Sequence, residues 1–365
     1  MKSALLKQPV KPSGEDFVKC IRRERTPGRV HCIELIVDTE VRAAITERFG
    51  LAGGLNPNDP YYDYRVNLAE QRFLGYDYVM ACPENIGITF ETQAATIQDT
   101  ADLARAQGRK FVSGDTGPIK SWDDFERYPW PEYDQATTRH FEWLEINLPD
   151  DMIVIGGMTA HALEWLTWLM GYETLCTAVY LQPDLVQAVY EKVREICDFI
   201  TRTMLQFDRV QIIWGSDDMG FRTGPLLPPD SLRRYVFPVH KHCAKLAHDA
   251  GRPYLLHSCG NLSIVMDDLI GDVGIDAKHS FEDTIEDVRD AKDKYGNRIA
   301  VLGGIDVDFL CTASEKDIRS RVRGTLERCM PQGGYCLGTG NSVANYIPLD
   351  NYLVMLDEGR KFCLN

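Results

Sequence analysis

"RPYLLHSCGNLSIVMDDLI", residues 252–270, passes from an apolar strand pattern through a polar turn into a helical pattern. The run Tyr254-Leu255-Leu256 stops at His257-Ser258-Cys259-Gly260-Asn261. A strand followed by a helix is one βα unit, and repeated units of this kind build a parallel sheet with helices outside it. The other apolar runs lie at 31–37, 76–82, 151–157, 210–216, 274–280, 299–305 and 333–339. Amphipathic segments separate most of them. Residues 183–207 (PDLVQAVYEKVREICDFITRTMLQF) show the clearest helical spacing, and the helical segment 231–251 ends on Gly251, a good left-handed stop. Eight strands predict a closed (β/α)8 TIM barrel, one domain over residues 1–365, with an N-terminal helical extension over about residues 1–28. An open doubly wound sheet is the alternative, but no G-x-G-x-x-G follows the first strand. Residues 121–134, rich in Pro and aromatics, read as an irregular connection.

Composition narrows the function classes. The 365 residues carry a formal net charge of −14, which argues against nucleic acid as a partner. No apolar run is long enough to span a bilayer, and the first residues lack a long signal-type core, so the expectation is a cytoplasmic protein without a membrane partner. The eleven cysteines are scattered, mostly inside apolar segments, as reduced packing residues are. A monomer or homodimer acting on a small molecule fits these bounds.

In a parallel barrel the site lies at the C-terminal ends of the strands, so polar residues there are the candidates. His257 and Cys259 sit two apart at such an end and point to one side. Imidazole with thiolate suits zinc better than a hard cation. The competing reading is a core cysteine beside a hydrogen-bonded histidine. Cys336, Glu282 and His279 are candidates to complete the shell, although Cys336 precedes its strand end and Glu282 equally suits a helix cap. Asp217 and Asp218 follow a strand directly, and adjacent carboxylates imply that one is tied to backbone or to a cation. Both are candidate catalytic or orienting groups, with Arg222 placed to neutralise an acidic substrate; a solvated Asx turn is the alternative. Glu34, Met158, Thr339 and Asn341 stand near other strand ends as candidate substrate contacts.

The segments "LLHSCGNL…DDLIGDVGIDAKH", "IAVLGGIDVDFL" and "GGYCLGTGNSVANYIPLDNYLVML" resemble the C-terminal half of the uroporphyrinogen decarboxylase superfamily. The resemblance spans roughly residues 150–360, with the first 120 similar only loosely. It implies a (β/α)8 barrel of one of two kinds. True uroporphyrinogen decarboxylases use no cofactor and carry an arginine-rich "MRQAGR"-like stretch; here "IELIVDTEVRAAI" stands instead, and Thr339 replaces the histidine of their "LGHG". The zinc methyltransferases of the superfamily carry H-x-C, as at His257 and Cys259. Their distant cysteine pairs with Asn341 here, with Cys336 five residues early. The resemblance therefore implies a zinc-dependent methyltransferase moving a methyl group to or from a corrinoid protein, with methylcobalamin as the carrier. The rival readings are a cofactor-free decarboxylase of a small or tetrapyrrole-type acid and a non-catalytic corrinoid- or metal-binding module.

Overall fold

The computed structural model describes residues 5–88, 94–105, 108–112 and 116–362. Seven parallel strands form one sheet: β1 (Tyr78–Ala81), β2 (Ile153–Thr159), β3 (Val210–Ser216), β4 (Tyr254–His257), β5 (Ala277–His279), β6 (Ala300–Leu302) and β7 (Tyr335–Cys336). They pair in chain order, each with the next. The registers Ser216↔His257 and His257↔His279 bring the ends of β3, β4 and β5 level. The strands are buried almost throughout, which is why they read as continuous apolar runs and not as alternating ones.

The sheet curls as in a TIM-barrel type fold. The expected first strand, 31–37, differs from expectation in an informative way. On one side it bonds to the chain after β7: the Ile33 amide donates to Leu337 O and the Leu337 amide to His31 O, both at 2.8 Å. On the other side a side chain replaces the ladder. The Tyr78 hydroxyl of β1 accepts from the Glu34 amide at 2.9 Å and donates to the Glu34 carbonyl at 3.1 Å. A phenol has taken the backbone groups that a neighbouring strand would pair with, so the segment makes bridges but no regular strand.

Helices pack around the sheet. Helix Pro183–Met204 starts on a proline that needs no amide partner and buries Val186, Val189, Val193, Ile196 and Ile200 along one stripe. The segment 231–251 is two helices, Pro229–Tyr235 and Phe237–Asp249, because Pro238 has no amide to continue the ladder. Gly251 takes φ +72° after it, as the stop signal requires. Within 121–134 the structure corrects the reading of a fully irregular connection: Trp122–Arg127 is a short helix whose Ser121 Oγ accepts from the Asp124 amide at 3.3 Å. Helix Gly14–Ile21 covers the N-terminal ends of the strands, with the Gly14 amide on Asp151 O and Cys20 O accepting from Gly334. The ten cysteines among the described residues are free thiols. Among those residues no helix is long and apolar enough to cross a membrane.

Candidate metal centre

The turn after β4 is shaped by its neighbours. Gly260 adopts φ +85°, and a Cβ there would collide with the Gly220 backbone. Lys278 of β5 is buried, and its ammonium donates to the carbonyls of Ser258 (2.8 Å), His279 (2.9 Å) and Ser280 (3.1 Å), tying together the turns that follow β4 and β5. Burial brings its pKa down to about 8.

On this platform Asp218, His257 and Cys259 converge, with one potential ligand atom from each lying within 4.8 Å of the others. Asp218 Oδ1 accepts from the Cys259 amide at 2.9 Å and lies 3.4 Å from His257 Nε2. Cys259 Sγ lies 3.4 Å from the same nitrogen and accepts from Asn341 Nδ2 at 3.2 Å. Burial pushes the Asp218 carboxyl up; the Cys259 amide pulls it down, and so does His257 whenever its imidazole carries a second proton. Burial, reinforced by Asp218, pushes the Cys259 thiol up. A cation between them would reverse that second effect, because it stabilises the thiolate directly.

The hydrogen-bond chain behind His257 determines which of its nitrogens faces the trio. Thr339 O is a carbonyl and can only accept, so His279 Nε2, 3.3 Å away, carries a proton. Burial keeps His279 neutral, so its Nδ1 is an acceptor. His257 Nδ1, 2.7 Å from it, must therefore donate. Burial keeps His257 neutral as well, which leaves its Nε2 with a free lone pair on the side of Asp218 and Cys259, the tautomer a metal ligand needs. Neutral nitrogen, sulfur and carboxylate oxygen together fit a zinc donor set. His279→Phe is expected to weaken zinc binding about 10- to 100-fold, the usual cost of losing such a supporting bond, with the same three ligands still present; competition against a chromophoric chelator measures it.

The other candidates are placed as follows. Asp217 is fully buried and turns away from the mouth: its oxygens accept from the amides of Leu163 and Glu164, both at 2.9 Å, and it lies 3.0 Å from His240 Nε2. Its oxygens are taken up by the first amides of helix Ala162–Met170, inside the fold. Asp218, expected beside it as an orienting group, stands instead within the trio. Cys336 lies elsewhere, buried on β7 with its thiol bonded to Cys20 of the helix that covers the N-terminal strand ends. His279 spends both nitrogens on His257 and Thr339. Glu282 is half-buried and joined to the trio through Asn341, which bonds to both; burial pushes its carboxyl up, and the Asp218 charge adds to that. Arg222 is exposed on the turn between the short strands Gly220–Phe221 and Gly224–Pro225. Thr339 is buried under Glu34: its amide donates to Oε1 at 2.8 Å and its hydroxyl to Oε2 at 2.6 Å. Glu34 and Met158 line a cavity between segment 31–37 and β1.

Burial raises the Glu34 pKa from 4.5 to about 8, against the Thr339 bonds that lower it. A raised folded pKa stabilises the fold fully below pH 4.5 and loses that contribution as pH rises through about 8. Wild type should therefore lose stability over this window relative to Glu34→Gln, whose side chain does not titrate. Chemical denaturation at a series of pH values reads the difference.

Sequence reasoning did not single out Lys278, His161 or Glu164. His161 Nδ1 lies 2.8 Å from Glu164 Oε2 just after β2, and the Asp218 charge reaches Glu164. Two of them had a signal: Lys278 is a lysine inside a buried strand pattern, and His161 is a histidine just after a strand end.

A curled parallel α/β sheet with a mixed nitrogen, sulfur and oxygen cluster at its C-terminal strand ends defines a barrel-type protein with a candidate metal centre. The sequence profile described as "Uroporphyrinogen decarboxylase (URO-D)" matches residues 114–362, and the chain belongs to that family. No curated protein matches the chain. Among solved structures, a methyltransferase from Methanosarcina mazei is similar at 18% identity and TM-score 0.64, over 98% of this chain and 99% of that one. A protein assigned as a vitamin-B12-independent methionine synthase from Listeria monocytogenes matches at 15% identity and TM-score 0.42, over 90% and 95%. At 18% identity the likeness to the Methanosarcina mazei protein concerns the fold.

Proposed function

We propose that this chain is a zinc-dependent methyltransferase that moves a methyl group to or from a corrinoid protein, on a single barrel whose eighth strand position is taken by segment 31–37. The observation that carries the reading is the Asp218–His257–Cys259 trio, with His257 Nε2 held as an acceptor. These three residues would hold the ion and leave a fourth position for a substrate heteroatom. When bound, zinc supplies Lewis acidity, lowering the pKa of a thiol or polarising a leaving heteroatom. The protein's own groups do the rest. Asn341 donates to the Cys259 sulfur and offsets part of its charge. Lys278 keeps the β4 and β5 turns from shifting. His161, oriented by Glu164, stands after the neighbouring β2 end as a group able to hold a proton. The fold shared with the protein described as a methyltransferase from Methanosarcina mazei is compatible with this reading.

Decarboxylation of a small acid would need a cation at the mouth to hold a carboxylate. Arg222, the candidate for that task, lies on an exposed turn. Purification without a metal-affinity column followed by elemental analysis tests the first half of the proposal, with about one zinc per chain expected. Loss of methylcobalamin absorbance in the presence of candidate thiols tests the second. Metal-free, fully active protein would overturn the zinc reading, and so would the failure of the apoprotein to take up zinc.

A further inference from the structure

The proposed transfer leaves one proton unassigned. A heteroatom that accepts a methyl group gives up its own proton, and one that loses a methyl regains it. Most polar groups around the trio are already committed. Lys278 holds three carbonyls, His279 bonds to His257 and Thr339, and Asp217 accepts from two amides and faces His240.

His161 is not committed in this way. It follows β2 and leads into helix Ala162–Met170. Its Nδ1 lies 2.8 Å from Glu164 Oε2, and its ring stacks on Trp165 with centroids 5.5 Å apart. The side chain keeps 16% of its surface exposed, and among the described residues Nε2 has no hydrogen-bond partner. A Glu164 carboxylate can only accept, so Nδ1 donates and Nε2 keeps its lone pair. The same carboxylate stabilises the imidazolium that forms when Nε2 takes a proton.

The backbone fixes this pair beside the trio. Asp217 accepts from the Leu163 and Glu164 amides, and the next residue, Asp218, belongs to the trio. One peptide step therefore links the two groups. Ala160, just before His161, takes φ +59°, a backbone that non-glycine residues adopt rarely and that clusters at functional sites. The amides of Ala160 and His161 lie against the buried Cys197 thiol of helix Pro183–Met204. From the other strand ends, the Asp217 and Asp218 charges act on Glu164, and the His161 charge acts on His257. Among the described residues no hydrogen bond or ion pair joins the His161 ring to the trio itself, so a bound molecule can stand between them.

We infer that His161 Nε2 is the catalytic base of this site, with Glu164 as its positioning residue, and that the methyl acceptor is a proton-bearing thiol. The inference rests on the methyltransferase reading. The S–H proton passes to Nε2 and the pair of that bond stays on sulfur. A sulfur pair then forms the bond to the methyl carbon, while the carbon–cobalt bond of methylcobalamin breaks with its pair left on cobalt. In reverse, a cobalt pair forms the bond to carbon, the carbon–sulfur pair stays on sulfur, and the imidazolium returns the proton.

Calorimetric titration of zinc-loaded protein with 2-mercaptoethanol, in two buffers of different ionisation heat, counts the protons released on thiol binding. Wild type should release well below about one proton per thiol, because His161 keeps it, and His161→Gln about one. His161→Gln should retain wild-type zinc content and circular dichroism, and should lose methyl transfer from methylcobalamin about 100-fold or more. Added imidazole should restore part of the rate to His161→Ala, which a merely structural role would not allow. If the glutamine variant fails to fold, the alanine variant with imidazole carries the comparison. Zinc lost from folded His161→Gln would make the ring a ligand. A proton count equal to that of wild type, or one that changes in Glu282→Gln instead, would give the proton to another group. Each of these, or active wild type that binds no thiol, overturns the inference and leaves the zinc reading standing. Wild type that takes up no zinc or transfers no methyl removes that reading, and the inference with it.

Discussion

Cys259→Ser is expected to abolish zinc retention and to lower methyl transfer by about a hundredfold or more, while the protein stays folded. Loss of a supporting bond already costs a metal site about 10- to 100-fold, and Cys259 supplies the soft ligand itself. The fold does not depend on the thiol. Its sulfur is half of a local pair with Asn341, whereas the core beneath is made of Trp214, Tyr254, Leu255 and Leu256, all fully buried. Cys336→Ser is the informative control: its thiol faces Cys20 and should leave zinc content unchanged. Elemental analysis and thermal unfolding of the two variants separate a ligand from a packing residue. Zinc at wild-type level in Cys259→Ser, or lost from Cys336→Ser, would move the site.

Asp217→Ala is expected to be the more damaging change to stability. It removes an acceptor from the amides of Leu163 and Glu164 and from His240, all in a fully buried place. Stranding such partners costs about 3–5 kcal/mol, a fall in melting temperature on the order of 4–7 °C for a chain of this size. The adjacent Asp218→Ala should do the reverse. Asp218 is more exposed, so the substitution leaves the melting temperature close to that of wild type and empties the metal site instead. Calorimetric melting of the pair, with zinc content measured alongside, decides it. Similar stability losses in both would show that the two carboxylates share one role.

Much of the architecture was legible because parallel strands buried on both faces write themselves as short apolar runs. Seven of the eight predicted strands form the sheet, each somewhat shorter than its apolar run or equal to it. The first did not form as a regular strand, since apolar pattern says nothing about a tyrosine hydroxyl on the adjacent strand taking the Glu34 backbone. Proline at 238 was a visible break, but its effect was outweighed in reading by the long helical periodicity around it.

The sequence by itself determined that His257 and Cys259 leave one face of a strand end, because that follows from the two-residue repeat of extended backbone. It also determined the family likeness, through motifs around β4 to β7. Only the tertiary structure decided what joins them. Of two adjacent aspartates, one turns into the core because helix Ala162–Met170 offers it amides and His240 lies beneath, and the other is left facing the imidazole. Cys336 is turned away by the helix packed under β7, and Asn341 takes the place next to the sulfur. These choices depend on elements distant in the chain, whose contacts are set by how the whole sheet closes on its helices and not by any local spacing.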